Sequence, residues 1–335
     1  MFAIHPLIAE FRQSETFARL AKTQLVFTVT SGRSGTKLLT ELLARSLGVA
    51  ALHEPEPRAN FELRSTIEHP EHGLHWLIEE KLPQIAEEQR DSLYIETSHL
   101  YCKGFIELLL QLGLQTRFII LRRDPKAIAR SLFQMSCVPE RTDAGKLVLI
   151  GPSDPGVLAL PNWEKYSDYQ LCYWYAKEIE RRQAYYVEAF DAVGIPAYET
   201  SITDLLDWAK FTQLCKFIAG SAEIAPNREA FVEITAVNQN PRNVAAEGST
   251  DRTIPVNADE EEREVEAASD GDISTVKHML PIIVAPKQAD RPIRVWSPRR
   301  DSERVVFWSE RHGGWIAAGD KTGTPIRDIA YWSPV

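Results

Sequence analysis

The chain has 335 residues, of which 44% are hydrophobic and 25% are charged. This length and composition are typical of a soluble enzyme with one large domain and room for a smaller one. The net charge of −9 argues against general nucleic-acid binding, which requires a basic face. No segment has the ~20 consecutive apolar residues that cross a bilayer, and residues 1–15 lack the basic start and long apolar core of a signal peptide.

Residues 24–41, QLVFTVTSGRSGTKLLTE, read as an apolar strand, a glycine-rich turn and the start of a helix. Gly32 and Gly35 allow the backbone to turn tightly. The first N–H groups of a helix have no partner within it, so phosphate binds favourably at such a turn. Arg33 and Lys37 add positive charge at the same place. The segment therefore predicts a phosphate-binding loop.

The loop differs from the Walker A loop of ordinary ATPases, which has the form GxxxxGK followed by Ser or Thr. Gly32 and Gly35 are too close together for that form, and Leu38 follows Lys37 where the magnesium-binding hydroxyl would be. The sequence thus predicts a phosphate pocket without the usual metal ligand.

Two short strands are predicted next, at 48–55 and 91–100. The first ends at Glu54, within HEP, and the second ends near His99, within TSHL. Ligands of open α/β sheets sit beyond the carboxyl ends of the strands, so both side chains are expected near the phosphate loop. Each also has an ordinary structural interpretation, as a turn-capping carboxylate and a hydrogen-bonded core histidine.

Residues 117–134, RFIILRRDPKAIARSLFQ, predict a buried strand, a charged turn and a helix. Asp124 can cap that helix, and the proline after it suits the first helical position. Arg123 lies at the end of the strand, and Ser131 lies near the second helical turn. This segment delivers a second cationic group to the same edge of the sheet.

The remaining elements follow an alternating pattern of helices and strands. Apolar spacing predicts helices at 60–90, 103–113, 126–136, 168–193 and 208–219, and PAYET at 196–200 reads as a strand. The segment 137–166 is rich in Pro and Gly and has Trp163, Tyr166 and Tyr169 close by. It reads either as a substrate loop or as an ordinary surface excursion.

The composition changes towards the end of the chain. Residues 257–272 form an acidic run, typical of a solvated helix or linker. Short apolar runs between glycine turns then carry half of the eight tryptophans, at Trp296, Trp308, Trp315 and Trp332, and predict strands. We predict a large domain at 1–255, an acidic linker or helix at 256–285 and a small β-module at 286–335. For this module, a docking or oligomer role and a plain stability role are both open.

The four cysteines, Cys102, Cys137, Cys172 and Cys215, lie far apart and show no CxxC or Cys/His spacing. This pattern predicts reduced thiols, because a disulfide framework or a zinc site has regular spacings. No metal-binding motif is therefore expected from the cysteines.

Together, the two charged segments resemble the PAPS-dependent sulfotransferase superfamily over residues 22–220. In that family an SGRSGT-type loop holds the 5′-phosphosulfate of 3′-phosphoadenosine-5′-phosphosulfate (PAPS). An RDP-type strand end and a Ser on the next helix hold its 3′-phosphate. The resemblance implies that the 5′ side is bound by Arg33, Ser34, Gly35, Thr36 and Lys37, and the 3′ side by Arg123 and Ser131. It also makes Arg242, within NQNPRNV, a candidate for the family's late basic loop over the 3′-phosphate.

The resemblance implies a three-layer α/β/α fold with a central parallel sheet and a P-loop. It implies a cytoplasmic transferase of bacterial or phage type, since Golgi members begin with a membrane anchor. The enzyme would move a sulfuryl group in line from PAPS to an acceptor hydroxyl or amine, release PAP (3′-phosphoadenosine-5′-phosphate) and need no metal. Arg33 and Lys37 would neutralise charge growing on the leaving phosphate. Sugar, phenol, peptide tyrosine, lipid and natural-product acceptors are all open.

Two residues resemble the family's general bases. Glu54 resembles the strand-end carboxylate of carbohydrate and protein-tyrosine members, and His99 resembles the histidine of the KTHL motif in cytosolic members. Cytosolic members have Lys two residues before that histidine, where this chain has Thr97. We therefore place Glu54 ahead of His99 as the base.

Two other classes of protein fit the sequence less well. The chain could be a P-loop phosphotransferase or a regulatory nucleotide binder, although the hydroxyl for magnesium is missing after Lys37. It could also be an assembly component that docks through its Trp-rich end and carries a degenerate enzyme core. The presence of Arg33, Arg123 and Ser131 argues against degeneration.

Overall fold

The computed structural model describes residues 6–88, 92–220, 225–237, 252–269, 280–281, 293–297, 302–309, 314–318, 326 and 331–334. Arg242 lies outside the described residues, so its predicted role at the 3′-phosphate is not addressed by the structure.

Five parallel strands form the central sheet. They are β1 (Gln24–Val29), β2 (Ala51–His53), β3 (Leu93–Thr97), β4 (Thr116–Arg122) and β5 (Ala197–Ser201). Their order across the sheet is β2-β3-β1-β4-β5, and each neighbouring pair is parallel. Parallel strands are covered on both faces, which explains why the central strands are almost continuously apolar.

Helices cover both faces of this sheet. The α-helices are α1 (Pro6–Phe11), α2 (Glu15–Leu20), α3 (Thr36–Glu41), α4 (Leu63–Glu68), α5 (Pro70–Trp76), α6 (Leu82–Glu88), α7 (Phe105–Leu112), α8 (Pro125–Gln134), α9 (Asp143–Val148), α10 (Asp168–Val193), α11 (Ile202–Leu205), α12 (Trp208–Ala219), α13 (Arg228–Ala236) and α14 (Ala258–Ser269). Helix α3 continues as a π-helical turn at Leu42–Ser46, and α5 continues as one at Leu77–Lys81. Single 3₁₀ turns lie at Tyr101–Lys103 and Trp163–Lys165.

Alternate residues of the strands feed two separate apolar cores. Phe27 and Ile120 belong to the larger core, on the side of α7 and α10, whereas Val26 and Ile119 belong to the smaller one, under α3 and α12. Successive strand residues point to opposite faces, so two cores require a sheet between two helical layers. The predicted three-layer α/β/α fold is confirmed.

Helix α10 is hydrogen-bonded to the carboxyl edge of the central sheet, at the ends of β1 and β4. Ser167 caps its start in a capping box, and Gly194, at φ 71°, ends it in a left-handed conformation. Between them, Gln183 donates from Nε2 to the carbonyls of Val29, at 3.0 Å, and Leu121, at 2.9 Å. One buried amide therefore ties together the carboxyl ends of β1 and β4.

Helix α14 lies in the acidic segment that the sequence predicts as a linker or solvated helix. Instead it packs on α10, with Val265 fully buried. Glu262 is also buried. Its Oε1 accepts a hydrogen bond from Tyr169 Oη at 2.6 Å, and its Oε2 lies 2.6 Å from Lys126 Nζ. The apolar stripe of α14 is narrow and lies among many carboxylates, so its burial is not visible in the sequence. The division at residues 255 and 285 stays a prediction.

The end of the chain forms a five-stranded antiparallel sheet, as expected for a small β-module. Its strands are β6 (Leu280–Pro281), β7 (Ile293–Ser297), β8 (Ser302–Ser309), β9 (Gly314–Ala317) and β10 (Tyr331–Pro334), in the order β6-β10-β7-β8-β9. Val295, Val306 and Trp315 are buried in the same apolar core as the residues of α10. The module therefore shares its core with the α/β layers.

Candidate active site at the carboxyl edge of the sheet

A cavity of about 240 Å³ lies at the carboxyl edge of the central sheet. It is lined by Ser31, Gly32, Arg33, Gly35, Thr36, Lys37, His53, Glu54, His99, Leu132, Met135, Cys137, Val148 and Leu149. The polar members follow β1, β2 and β3, whose ends meet at this edge because the strands are parallel. The structure thus brings Glu54 and His99 to the phosphate loop.

The loop after β1 is shaped by residues in the left-handed region. Gly32 and Gly35 have φ of 76° and 100°, and Arg33 between them has φ of 54°. A Cβ on Gly32 would lie 3.1 Å from Cγ of His99, so glycine is needed there for space as well as for conformation. Thr36 then begins α3, and Lys37 in its first turn is exposed and lines the cavity.

Buried hydroxyls hold this loop from behind. Ser34 is fully buried, and its hydroxyl bonds to that of Thr30. Tyr175, on α10, donates from Oη to the carbonyl of Ser31 at 2.7 Å. In this structure the Ser34 side chain therefore supports the loop from inside, whereas Arg33 and Lys37 line the cavity.

Arg33 connects the two predicted halves of the site. Its Nε donates to Ser131 Oγ at 3.0 Å, across 98 positions of sequence. The guanidinium of Arg123 donates to the carbonyl of Arg33. Burial, and next the positive charge of Arg123, lower the pKa of Arg33 from its usual value. Two guanidinium groups and a hydroxyl therefore converge where the sequence predicts phosphate.

Glu54 and His99 lie next to each other in the cavity lining. Their Oε1 and Nε2 atoms lie 3.5 Å apart, and Glu54 is held at a φ of 48°. The other ring nitrogen of His99, Nδ1, lies 2.8 Å from Lys103 Nζ. Burial is the main cause that lowers the pKa of His99 well below its usual value, and the charge of Lys103 contributes next. The imidazole is therefore neutral at physiological pH.

Two residues of this cluster, Lys103 and His53, have no role in the predictions from the sequence. Lys103 is buried on the 3₁₀ turn after β3, four positions after His99. Such a spacing brings side chains together on a helical turn, which is the pattern that could have revealed it. His53 lines the cavity, and its Nδ1 lies 3.1 Å from the carbonyl oxygen of Thr97.

Part of the cavity lining is apolar. It is formed by Leu132, Met135, Cys137, Val148 and Leu149, of which the last three lie in the predicted substrate loop 137–166. The aromatic residues named for that loop are placed elsewhere, and Tyr169 bonds to Glu262 instead. The beginning of the segment, but none of its aromatic side chains, contributes to the cavity.

The cysteines and the acidic side chains form no second centre in the parts of the chain that the structure describes. Cys102, Cys137, Cys172 and Cys215 are free and buried. Among the described residues, no group of three or more His, Cys, Asp or Glu side chains is arranged to hold a metal ion. Within the same ranges, no helix has the length and apolar character needed to cross a membrane.

Comparison with known proteins finds similarity in structure only. No family model matches the sequence, and no curated protein matches it. The chain is similar to a solved sulfotransferase domain from the curacin biosynthetic pathway, with a TM-score of 0.41 and 14% sequence identity. The alignment covers 73% of this chain and 96% of that one. At this distance the likeness carries no argument about activity.

Proposed function

We propose that the protein is a sulfotransferase that moves a sulfuryl group from PAPS to an acceptor hydroxyl or amine. The observation that supports this most directly is the 3.0 Å bond between Arg33 Nε and Ser131 Oγ. It joins the loop predicted for the 5′-phosphosulfate to the helix predicted for the 3′-phosphate. A donor with anionic groups at both positions of its ribose suits this arrangement.

The reaction requires positioning and charge stabilisation more than covalent chemistry. The acceptor oxygen attacks sulfur, and the bond from sulfur to the 5′-phosphate oxygen breaks with its electron pair on that oxygen. Arg33 and Lys37 both line the cavity, and Lys37 lies in the first turn of α3. Both are cationic and can neutralise charge on the leaving phosphate. The acceptor proton passes to a general base.

We propose Glu54 as that base, with His99 as the alternative. Both side chains line the cavity at the ends of neighbouring strands. Since burial lowers the pKa of His99 well below its usual value, His99 would be unprotonated across the neutral range. A fall in the reaction rate near pH 6 therefore does not distinguish Glu54 from His99 as the base. The hydrogen-bonding state of His99 is needed to distinguish them.

The acceptor side of the cavity favours a particular kind of molecule. Leu132, Met135 and Val148 contribute apolar surface to the cavity lining. We propose an acceptor whose hydroxyl or amine is attached to an apolar or aromatic body. A panel of phenols, lipid alcohols, sugars and tyrosine peptides with mass-tagged PAPS would test this. A preference for sugars would contradict it.

Binding of PAP tests the donor. Charge-assisted hydrogen bonds to phosphate are worth about 1.5–3 kcal/mol each. By calorimetry, Arg123→Ala should weaken PAP binding at least about tenfold and leave adenosine-5′-phosphate binding nearly unchanged. Arg122→Ala is the matched control, because the neighbouring Arg122 pairs with Glu199 at 2.6 Å. Equal losses for both nucleotides would remove the 3′-phosphate assignment.

A further inference from the structure

Lys103 is a buried lysine with a specific set of neighbours. It is 1% exposed, and its Nζ lies 2.8 Å from His99 Nδ1. The same nitrogen donates to the carbonyl of Val148 and lies 5.2 Å from the centre of the Tyr175 ring. These neighbours come from three separate elements, namely the β3 end, the α9 end and α10. The position of the ammonium group is therefore strongly constrained.

The chemistry of these neighbours fixes the direction of the hydrogen bonds. A carbonyl oxygen only accepts, and a protonated lysine only donates. Nδ1 of His99 must then accept from Lys103, and the proton of the neutral imidazole lies on Nε2. That nitrogen faces Glu54 Oε1 at 3.5 Å, at the cavity. A nitrogen that carries a proton cannot take another from an acceptor.

We propose that Lys103 is a positioning residue that holds His99 as a hydrogen-bond donor, with its Nε2–H at the cavity, so that Glu54 is the general base. The catalytic part of this inference rests on the proposed function, whereas the protonation pattern of the ring does not. In the reaction, the acceptor proton goes to the Glu54 carboxylate. His99 keeps its proton and donates to negative charge on the transferring group.

Protonation of Lys103 depends on all the groups around it. Burial lowers the pKa of Lys103 to about 7, while the Glu54 carboxylate opposes the shift and Arg182 adds to it. His99 faces it from the other side, as a neutral ring. An anionic donor in the cavity favours the charged form. Below pH 7, and in the complex, the donor arrangement of Lys103 and His99 therefore holds.

Nitrogen NMR of the ring tests the inference without a mutation. The full-length protein is labelled with ¹⁵N-histidine, and the His99 resonances are assigned by their loss in His99→Asn. At pH 6, and at pH 7.5 with saturating PAP, we expect the Nε2–H tautomer of a neutral imidazole. In Lys103→Met the ring should shift towards a mixture of tautomers, and Lys103→Gln, which keeps an N–H donor, should restore the pattern. Lys146→Met, on the exposed side of α9, is the matched control and should change nothing.

Turnover gives a second readout. A glutamine at position 99 can donate but cannot act as a base, so His99→Gln should lower kcat by at most about tenfold. Glu54→Gln should lower it about a hundredfold or more.

An Nδ1–H tautomer in the wild-type protein at pH 6 would overturn the inference, as would a larger loss in His99→Gln than in Glu54→Gln. Failure of PAP to bind would count against the proposed donor and would leave the tautomer result at pH 6 intact as a test.

Discussion

Binding of PAP should take up a proton above pH 7, and Lys103 is the group that takes it. In the free protein, burial lowers the pKa of Lys103 from 10.5 to about 7. Charging this lysine therefore costs about 5 kcal/mol relative to water, at 1.36 kcal/mol for each unit of pKa. An anion bound in the cavity offsets part of this cost and raises the pKa again. We therefore expect PAP binding to depend on pH between 6 and 8.5.

The size of the effect follows from this shift. At pH 8 about nine-tenths of the free protein has lost the Lys103 proton, so binding should take up about 0.9 of a proton if the complex keeps it. At pH 6 Lys103 is charged before and after binding, so it should take up almost no proton. Affinity should fall as the pH rises, by about fifteenfold between pH 7 and 8.5.

Calorimetry in two buffers with different ionisation enthalpies measures the uptake directly. His99 stays neutral over this range because its pKa is lowered, and phosphate groups are already ionised above their pKa of about 6. Lys103→Met should bind PAP with little dependence on pH. An uptake below one-third of a proton at pH 8 would contradict the assignment of the proton to Lys103. An uptake that persists in Lys103→Met would contradict it as well.

Three further predictions concern the buried charges, the metal and the C-terminal elements. Lys81→Met should lower the free energy of unfolding in urea by about 3–5 kcal/mol, because it removes the cation 3.0 Å from the buried Glu96 carboxylate, which Tyr94 Oη still contacts at 2.7 Å. Combining Lys81→Met with Glu96→Leu should recover part of the loss. Sulfuryl transfer should persist in excess EDTA, since Arg33 and Lys37 can supply the charge, whereas a loss that magnesium restores would favour a phosphotransferase. A chain that ends at residue 255 should keep its affinity for PAP. It should unfold at a lower temperature by circular dichroism, because it loses the contacts of Glu262. If the shortened protein is folded but does not bind PAP, the removed elements contribute to the donor site.

Local sequence patterns predicted most of the elements because each carries its own chemistry. Asp124 and Pro125 begin α8 as a cap and a first-turn proline, and the side chain of Asp124 accepts from the backbone of Lys126 and Ala127. The predicted helix at 60–90 is instead interrupted at His69, where α4 ends and Pro70 starts α5; α5 then runs through its π-helical turn into α6. The strand predicted at 48–55 is only three residues long. Apolar composition indicates a strand but does not set where its ladder ends.

Charged groups without a motif could not be predicted in the same way. The role of Lys103 depends on burial and on a ring four residues earlier, and that of Glu262 depends on α14 docking on α10. Neither position belongs to a recognisable motif, so the sequence carries no sign that these charged side chains are buried. Sequence patterns report local backbone preferences, whereas burial is decided by distant segments.

Local sequence patterns alone were enough to predict the glycine-rich turn after β1, the polar residues at the strand ends and the α/β alternation. Glycines at 32 and 35, a cap at Asp124 and apolar strands act over a few residues, so their consequences are visible locally. Only the tertiary structure decided that Arg33 bonds to Ser131 and that Lys103 lies behind His99. The first contact spans 98 positions and depends on the parallel order of β1 and β4, and the second depends on the enclosure of the 3₁₀ turn by α9 and α10. The fold supplies the distances and the low dielectric that convert these separate side chains into one electrostatic site.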